Sequence, residues 1–345
     1  MTLEWLGLGG VLAMVVVMPF TVRWAEEKLE AFLLVMGVAA VSISGQWSPV
    51  LLGQALGDPV PLAATVLAAG SVFRWQRRRV VASVERAQSA WGAQVLAGLL
   101  VPVIGVLSAL CSAMVAALVL AEAVSVLRLP RASELRLVVL ACFSIGLGSA
   151  LSPLGGPLAA IVVTRLAGEP YHADFFFLAR LLWPAVLGML AVLGALAFLF
   201  GQGHASSSGA LAPETHESWR DLLYRVLRVY LFVAGLVLLG QGFAPLAERW
   251  LLPLPTQALY WANASSAFLD NATLAAAEVG PRVAGDKLQA ILLGLLLSGG
   301  MLVPGNVPNI ICAAKLGIGA KEWARFGVPL GLALMAVMAV LLRLY

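Results

Sequence analysis

Two long apolar runs in this chain are interrupted by the same pattern. Gly148, Pro153 and Pro157 in one run, and Gly299, Pro304 and Pro308 in the other, are spaced as G-x-x-x-x-P-x-x-x-P, with 151 residues between equivalent positions. Proline lacks an amide donor and clashes with the preceding turn, so each pattern breaks a helix and frees backbone polar groups. Hydrocarbon cannot satisfy those groups, which confines such breaks to protein interior or a polar cavity. Composition decides that hydrocarbon is the issue. Of the 345 residues 61% are apolar and 12% charged, against about half and a quarter in a soluble domain. The chain reads as an all-α polytopic membrane protein. Paired breaks at corresponding positions of two halves point to a binding site between them.

Full spans are predicted at about 3–20, 30–56, 58–75, 137–165, 181–200, 225–245, 288–314 and 326–343. The first run lacks a basic leader and a small-residue cleavage site, so a retained span is expected. Two stretches, about 92–127 and 253–280, do not fit this scheme. The first exceeds the ~20 residues of one span, yet each of its halves is short for a crossing. Asn263, Ser265, Ser266, Asp270 and Asn271 interrupt the second. Both are expected to be re-entrant hairpins. Arg77, Arg78 and Arg79 precede the first, and Arg128, Arg131 and Arg136 follow it. Positive charge marks the cytoplasmic side, so that stretch returns to its starting face. Continuing the count places Arg220, Arg225, Arg228, Lys315, Lys321 and Arg325 inside and both termini outside. Trp5, Trp24, Trp75, Trp91, Trp219, Trp250 and Trp323 fall near span ends, as an interfacial belt would.

A second repeated element, A-R-x-x-x-P at Ala179–Pro184 and Ala324–Pro329, opens the last apolar span of each half. Ser108–Ser112 also aligns with Ser266–Asp270. The expected organisation is an N-terminal transmembrane helix (1–27), a first repeat (28–200), a cytoplasmic linker (201–220) and a second repeat (221–345). Each repeat holds a hairpin, a broken helix and a closing helix, and the charge count gives the two opposite orientation. The Gly/Ser-rich stretch 201–209 reads as flexible. Cys111, Cys142 and Cys312 are isolated in apolar segments and read as buried small side chains.

Asp270 is the leading chemical candidate, because a carboxylate within a membrane is expensive and marks function by default. A bound cation favours its charged form and burial its protonated form, so one Asp can exchange a proton for a metal ion. Asn271, Thr273 and Ser266 surround it in sequence, and Asp also suits a helix N-cap. Gly305, Asn306 and Asn309 offer amide and freed carbonyl oxygens, donors that hard cations favour. Ser112, Ser149, Ser152, Gly155 and Gly156 form the matching site of the first half, with neither carboxylate nor amide. Asp270 and Asn306 are the expected ligands of a sodium ion. Glu122 and Glu278 are expected at an interface, and Lys315 is expected to snorkel towards the cytoplasm. No Walker motif, Ser/His/Asp set or H-E-x-x-H occurs, so neither enzyme activity nor a cofactor is expected. The basic residues lie in short loops, which argues against a nucleic-acid partner.

The segments Leu269–Glu278 and Gly299–Ile311 resemble a family of cation transporters in the ion-transporter superfamily, beside arsenite permeases, sodium/proton antiporters and sodium-coupled dicarboxylate symporters. The resemblance implies inverted repeats with paired hairpins and broken helices, a homodimer and an elevator-like movement of a transport domain. It also implies a bacterial or archaeal plasma membrane. The dicarboxylate branch carries Ser-Asn-Thr at its hairpin tips. Asp270-Asn271-Ala272-Thr273 follows that pattern only in part, and Ser108–Ser112 lacks the Asn. A small cation is therefore the expected substrate, moved by sodium/proton antiport with Asp270 holding each ion in turn. The alternatives are a sodium-coupled symporter of a small organic or inorganic anion and, against the paired breaks, a passive channel.

Overall fold

The computed structural model describes residues 3–127, 129–200, 219–250, 253–269, 271–281 and 283–344, and these form helices with no strand among them. The N-terminal part comprises α1 (Leu3–Thr21), α2 (Arg23–Glu27), α3 (Leu29–Ser44) and α4 (Pro49–Gly57). A long helix α5 (Pro59–Cys111) turns at Ser112 into α6 (Ala113–Leu127). The first interrupted helix follows as α7 (Arg131–Ser149) and α8 (Pro157–Arg165), and then α9 (Phe177–Phe200). After α10 (Trp219–Trp250) come α11 (Thr256–Ala262), a 3₁₀ turn at Asn263–Ala267 and α12 (Asn271–Glu278). The second interrupted helix is α13 (Gly285–Gly299) and α14 (Val307–Leu316), and α15 (Ala320–Leu344) closes the chain. Among the described residues, five helical segments are long and apolar enough to cross a membrane: Arg86–Cys111, Arg131–Ser149, Phe177–Phe200, Leu222–Leu246 and Ala320–Leu342.

Both breaks fall where Gly and Pro demand them. Gly156 and Asn306 are extended residues immediately before α8 and α14, and Pro157 and Pro308 stand in the first turns, where a missing N–H costs no helical bond. The turn between α5 and α6 places Ser112 at φ 79°, a left-handed value rare outside glycine.

The interrupted helices run in opposite directions. Arg131, at the start of α7, donates to the carbonyls of Leu316 and Gly317 at the end of α14, at 3.0 and 2.9 Å. At the other end, the Tyr171 hydroxyl beyond α8 donates to the carbonyl of Val283, just before α13. The returning helices cross over: α6 packs on α14, and α12 packs on α8. The arms that precede them stay with their own break, and small residues allow this. A Cβ on Gly148 would stand 1.9 Å from the Gly105 carbonyl, so α5 and α7 meet at backbone distance. Ser108 Oγ then donates to Ile145 O at 3.0 Å and Ser144 Oγ to Val101 O at 2.6 Å. Likewise Ser266 Oγ donates to Leu295 O at 3.3 Å and Ser298 Oγ to Asn263 O at 2.6 Å.

Three sequence expectations change. The predicted span 30–56 is two helices, because Gly45 ends α3 at φ 65° and Ser48 accepts from Leu51 N at 3.1 Å to cap α4. Segments 58–75 and 92–111 belong to one helical run broken by non-helical backbone at Gly92 (φ 76°, ψ 159°), and the portion Arg86–Cys111 is long and apolar enough to cross. Trp24, Trp91, Trp219 and Trp250 are exposed as a belt requires, but Trp323 is fully buried and donates to Gly300 O at 3.1 Å. It satisfies a carbonyl freed by the second break. The linker stretch 201–218 lies outside the described residues.

Candidate functional site

A cleft forms where the two breaks and the two helix pairs meet, with about 480 Å³ of empty space that includes open solvent. Ser149 and Ala150 line it from the end of α7, and Gly155, Gly156 and Pro157 from the start of α8. Ala113 and Met114 begin α6, Asn271 and Ala272 begin α12, and Asn306 and Val307 stand at the start of α14. The N-terminal ends of α6, α8, α12 and α14 therefore all reach this cleft. Such ends carry partial positive charge, and the end of α7 brings carbonyls of opposite sign. No Lys, Arg, Asp or Glu is among the described lining residues.

Of the residues expected from sequence, Ser149, Gly155, Gly156, Asn271 and Asn306 line this cleft together. Asn306 reaches from the second interrupted helix to the first, since a Cβ on Gly146 of α7 would fall 2.8 Å from its Nδ2. Others lie behind the surface. Ser152 Oγ donates to Ala109 O, and Ala113 N donates to Gly155 O at 2.7 Å, so the first break is tied to the α5–α6 turn. Ser112 faces its own helix, where its Oγ accepts from Val115 N at 3.5 Å. Ser266 supports α13, as described above. A Cβ on Gly305 would lie 2.6 Å from Gly299 O and 3.0 Å from Ser266 O and Ala267 O, so only glycine fits this three-way contact. Asn309 is fully buried, and its Nδ2 donates to Gly299 O and Leu302 O, both at 2.8 Å. It closes the second break, while its Oδ1 has no partner. Thr273 belongs to α12 with its side chain undescribed, and Asp270 lies outside the described residues, directly before α12. Among the described residues no three His, Cys, Asp or Glu side chains converge, and the polar side chains that line the cleft are Ser149, Asn271 and Asn306.

Several polar groups proved more deeply placed than their sequence positions suggested. Lys315 of α14 does not snorkel. It forms an ion pair with Glu122 of α6, with the two side chains 12% and 8% exposed. The snorkelling expected of Lys315 and the interfacial placement expected of Glu122 are both replaced by a nearly buried pair. Glu278 is 1% exposed rather than interfacial, and its Oε2 accepts from Asn263 Nδ2 at 2.9 Å. Only the break beside Lys315 and the polar content of the 263–271 stretch signalled these pairings.

A family model described as "Protein of unknown function (DUF1646)" matches residues 7–345, nearly the whole chain. The chain belongs to this family. No curated protein matches it. For a DUF1646 member the cleft is thus the primary guide to function, and its construction from two interrupted helices is the property to explain.

Proposed function

We propose that this DUF1646 protein is a secondary active transporter of a small cation, exchanging sodium for protons at the cleft. One observation carries the reading: two antiparallel interrupted helices and two helix-pair turns supply one small cleft, to which Ser149, Asn271, Asn306 and freed backbone bring the polar atoms among the described residues. Freed backbone groups survive inside a membrane protein where they line a polar path, and inverted repeats build such a path at their interface. In this reading α5–α6 and α11–α12 are re-entrant hairpins of two inverted repeats, and Asp270 stands at the second tip. Asp270 exchanges a proton for the cation, and Asn271, Thr273, Asn306 and Ser149 complete the shell, with Asn309 and Gly305 holding its frame. The hairpins and breaks move together as an elevator-like body within a homodimer. The wanted assay is sodium-driven pH change in proteoliposomes. Asp270→Asn should abolish it, and Asn306→Ala should raise the half-saturating sodium concentration about tenfold, the equivalent of about 1.4 kcal/mol. Undiminished flux in Asp270→Asn rejects the exchange site.

One observation favours a second reading, a sodium-coupled symporter of a small anion. Four helix N-termini face the cleft, and such ends attract negative charge. The cation Lys315 is paired with Glu122, and no Lys or Arg is among the described residues lining the cleft, which disfavours a bulky polyanion. Anion-dependent sodium uptake without proton movement would establish the symporter instead.

A further inference from the structure

The second helix pair contains a buried polar group that the cleft does not use. Glu278 ends α12, at the opposite end of that helix from Asn271. Its carboxyl is 1% exposed, and its partner Asn263 is fully buried. Asn263 Nδ2 donates to Glu278 Oε2 at 2.9 Å and approaches Ile291 O at 3.4 Å. Glu278 Oε1, Asn263 Oδ1 and Ser265 Oγ are buried with no partner. A carboxylate so placed, with one amide donor and one bare oxygen, is costly in the interior unless it is paired or neutralised.

Among the described residues, no cation is in contact with it. Lys287 on α13 acts on the carboxyl from a distance, and its Nζ donates to Leu254 O at 2.9 Å. Asp286 and, on α8, Arg165 are exposed. On α10, Arg228 bonds Glu30 at 2.9 Å and Arg249 lies over Trp5. On α11, Tyr260 donates its hydroxyl to Met335 O. The cheapest way to complete this site is a hydrogen on the carboxyl itself.

We propose that Glu278 is a proton-binding site of this chain, separate from the cleft and held by Asn263. The step is simple addition: a proton binds a carboxylate oxygen, the O–H bond forms and the negative charge is removed. Because α12 joins Glu278 to the cleft residue Asn271, the proton travels with this arm. That last role rests on the transport reading, whereas the site itself does not.

Infrared difference spectra of the full chain in liposomes, taken between acid and alkaline pH, test the proposal. The wild type should show a protonated-carboxyl band that is lost in Glu278→Gln and kept in the double variant Glu122→Gln/Lys315→Met, which leaves no charge unpaired. The glutamine still accepts from Asn263, so the fold should survive. Asn263→Ala provides a second measurement, since removing the donor to the carboxylate should move the band's midpoint about one pH unit upward or more. A band unchanged in both Glu278→Gln and Asn263→Ala overturns the proton site and leaves the cleft untouched. Sodium flux that persists in Asp270→Asn rejects the cleft reading while the band still reports on Glu278.

Discussion

At the residue scale, glycines set the geometry of the cleft, and two of them make opposite predictions. Gly305 is enclosed by backbone: the carbonyls of Gly299, Ser266 and Ala267 leave no room for a methyl group. Rigid neighbours cannot yield, so Gly305→Ala should cost about 3 kcal/mol and lower the melting temperature in detergent. Gly168→Ala, where no atom lies within 4 Å of the added carbon, is the control and should leave stability unchanged within about 0.5 kcal/mol. At Gly146 the nearest atom is Asn306 Nδ2, the end of a side chain that can turn aside. Gly146→Ala should therefore fold normally, with a stability loss below about 1 kcal/mol; on the proposed sodium reading it should also raise the half-saturating sodium concentration about tenfold by displacing Asn306. Equal losses of stability in the two alanine variants would show that Asn306 is a structural strut. Sequence alone marked Asn306 as a candidate through the proline spacing. It did not mark Gly146, whose importance comes from a side chain of the other interrupted helix.

At the scale of elements, the breaks and turns were legible and their partners were not. Gly148–Pro157 and Gly299–Pro308 disclose interrupted helices because the cost of a misplaced proline is local. Ser48-Pro49 carried an equally local capping signal, and the predicted span 30–56 overrode it because the apolar run continues through the turn. Burial of Trp323, Glu278 and the Glu122–Lys315 pair depends on what packs across the molecule, so a single segment cannot reveal it. The ion pair joins α6 to α14, the contact by which the first helix pair grips the second break. Removing one partner leaves a buried charge alone, at a cost of about 3–5 kcal/mol. Lys315→Met or Glu122→Gln should thus each destabilise the protein by about that much, while the double variant recovers most of it because no charge is left unpaired. Thermal unfolding of the three variants measures the coupling. Additive losses would mean that neither charge depends on the other.

At the scale of the whole molecule, the two interrupted helices are antiparallel, and each end of the assembly is clamped by a different set of polar contacts. One end holds Arg131, which donates to both carboxylate oxygens of Glu322 at 2.8 Å and to the last carbonyls of α14. The other holds Tyr171 bonded to Val283 O, and Asp174, whose carboxyl the Arg180 guanidinium at 2.7 Å keeps below the usual carboxylate range. The charge count assigns the Arg131 end to the cytoplasm, together with Lys321 and Arg325, and the Asp174 end to the outside. That assignment follows only if the α5–α6 and α11–α12 pairs each turn back within the membrane, so the sidedness of these two loops tests the architecture. Single cysteines at the exposed positions Ala167 and Lys321 supply the probes, in a chain with Cys111, Cys142 and Cys312 replaced. A membrane-impermeant maleimide added to intact cells should label Ala167→Cys and reach Lys321→Cys only after lysis. Labelling of both from outside would contradict a crossing by α7–α9 and α15 in these directions. Reversed labelling would keep the antiparallel breaks and invert the whole protein, placing Arg131 and its partners on the outer face.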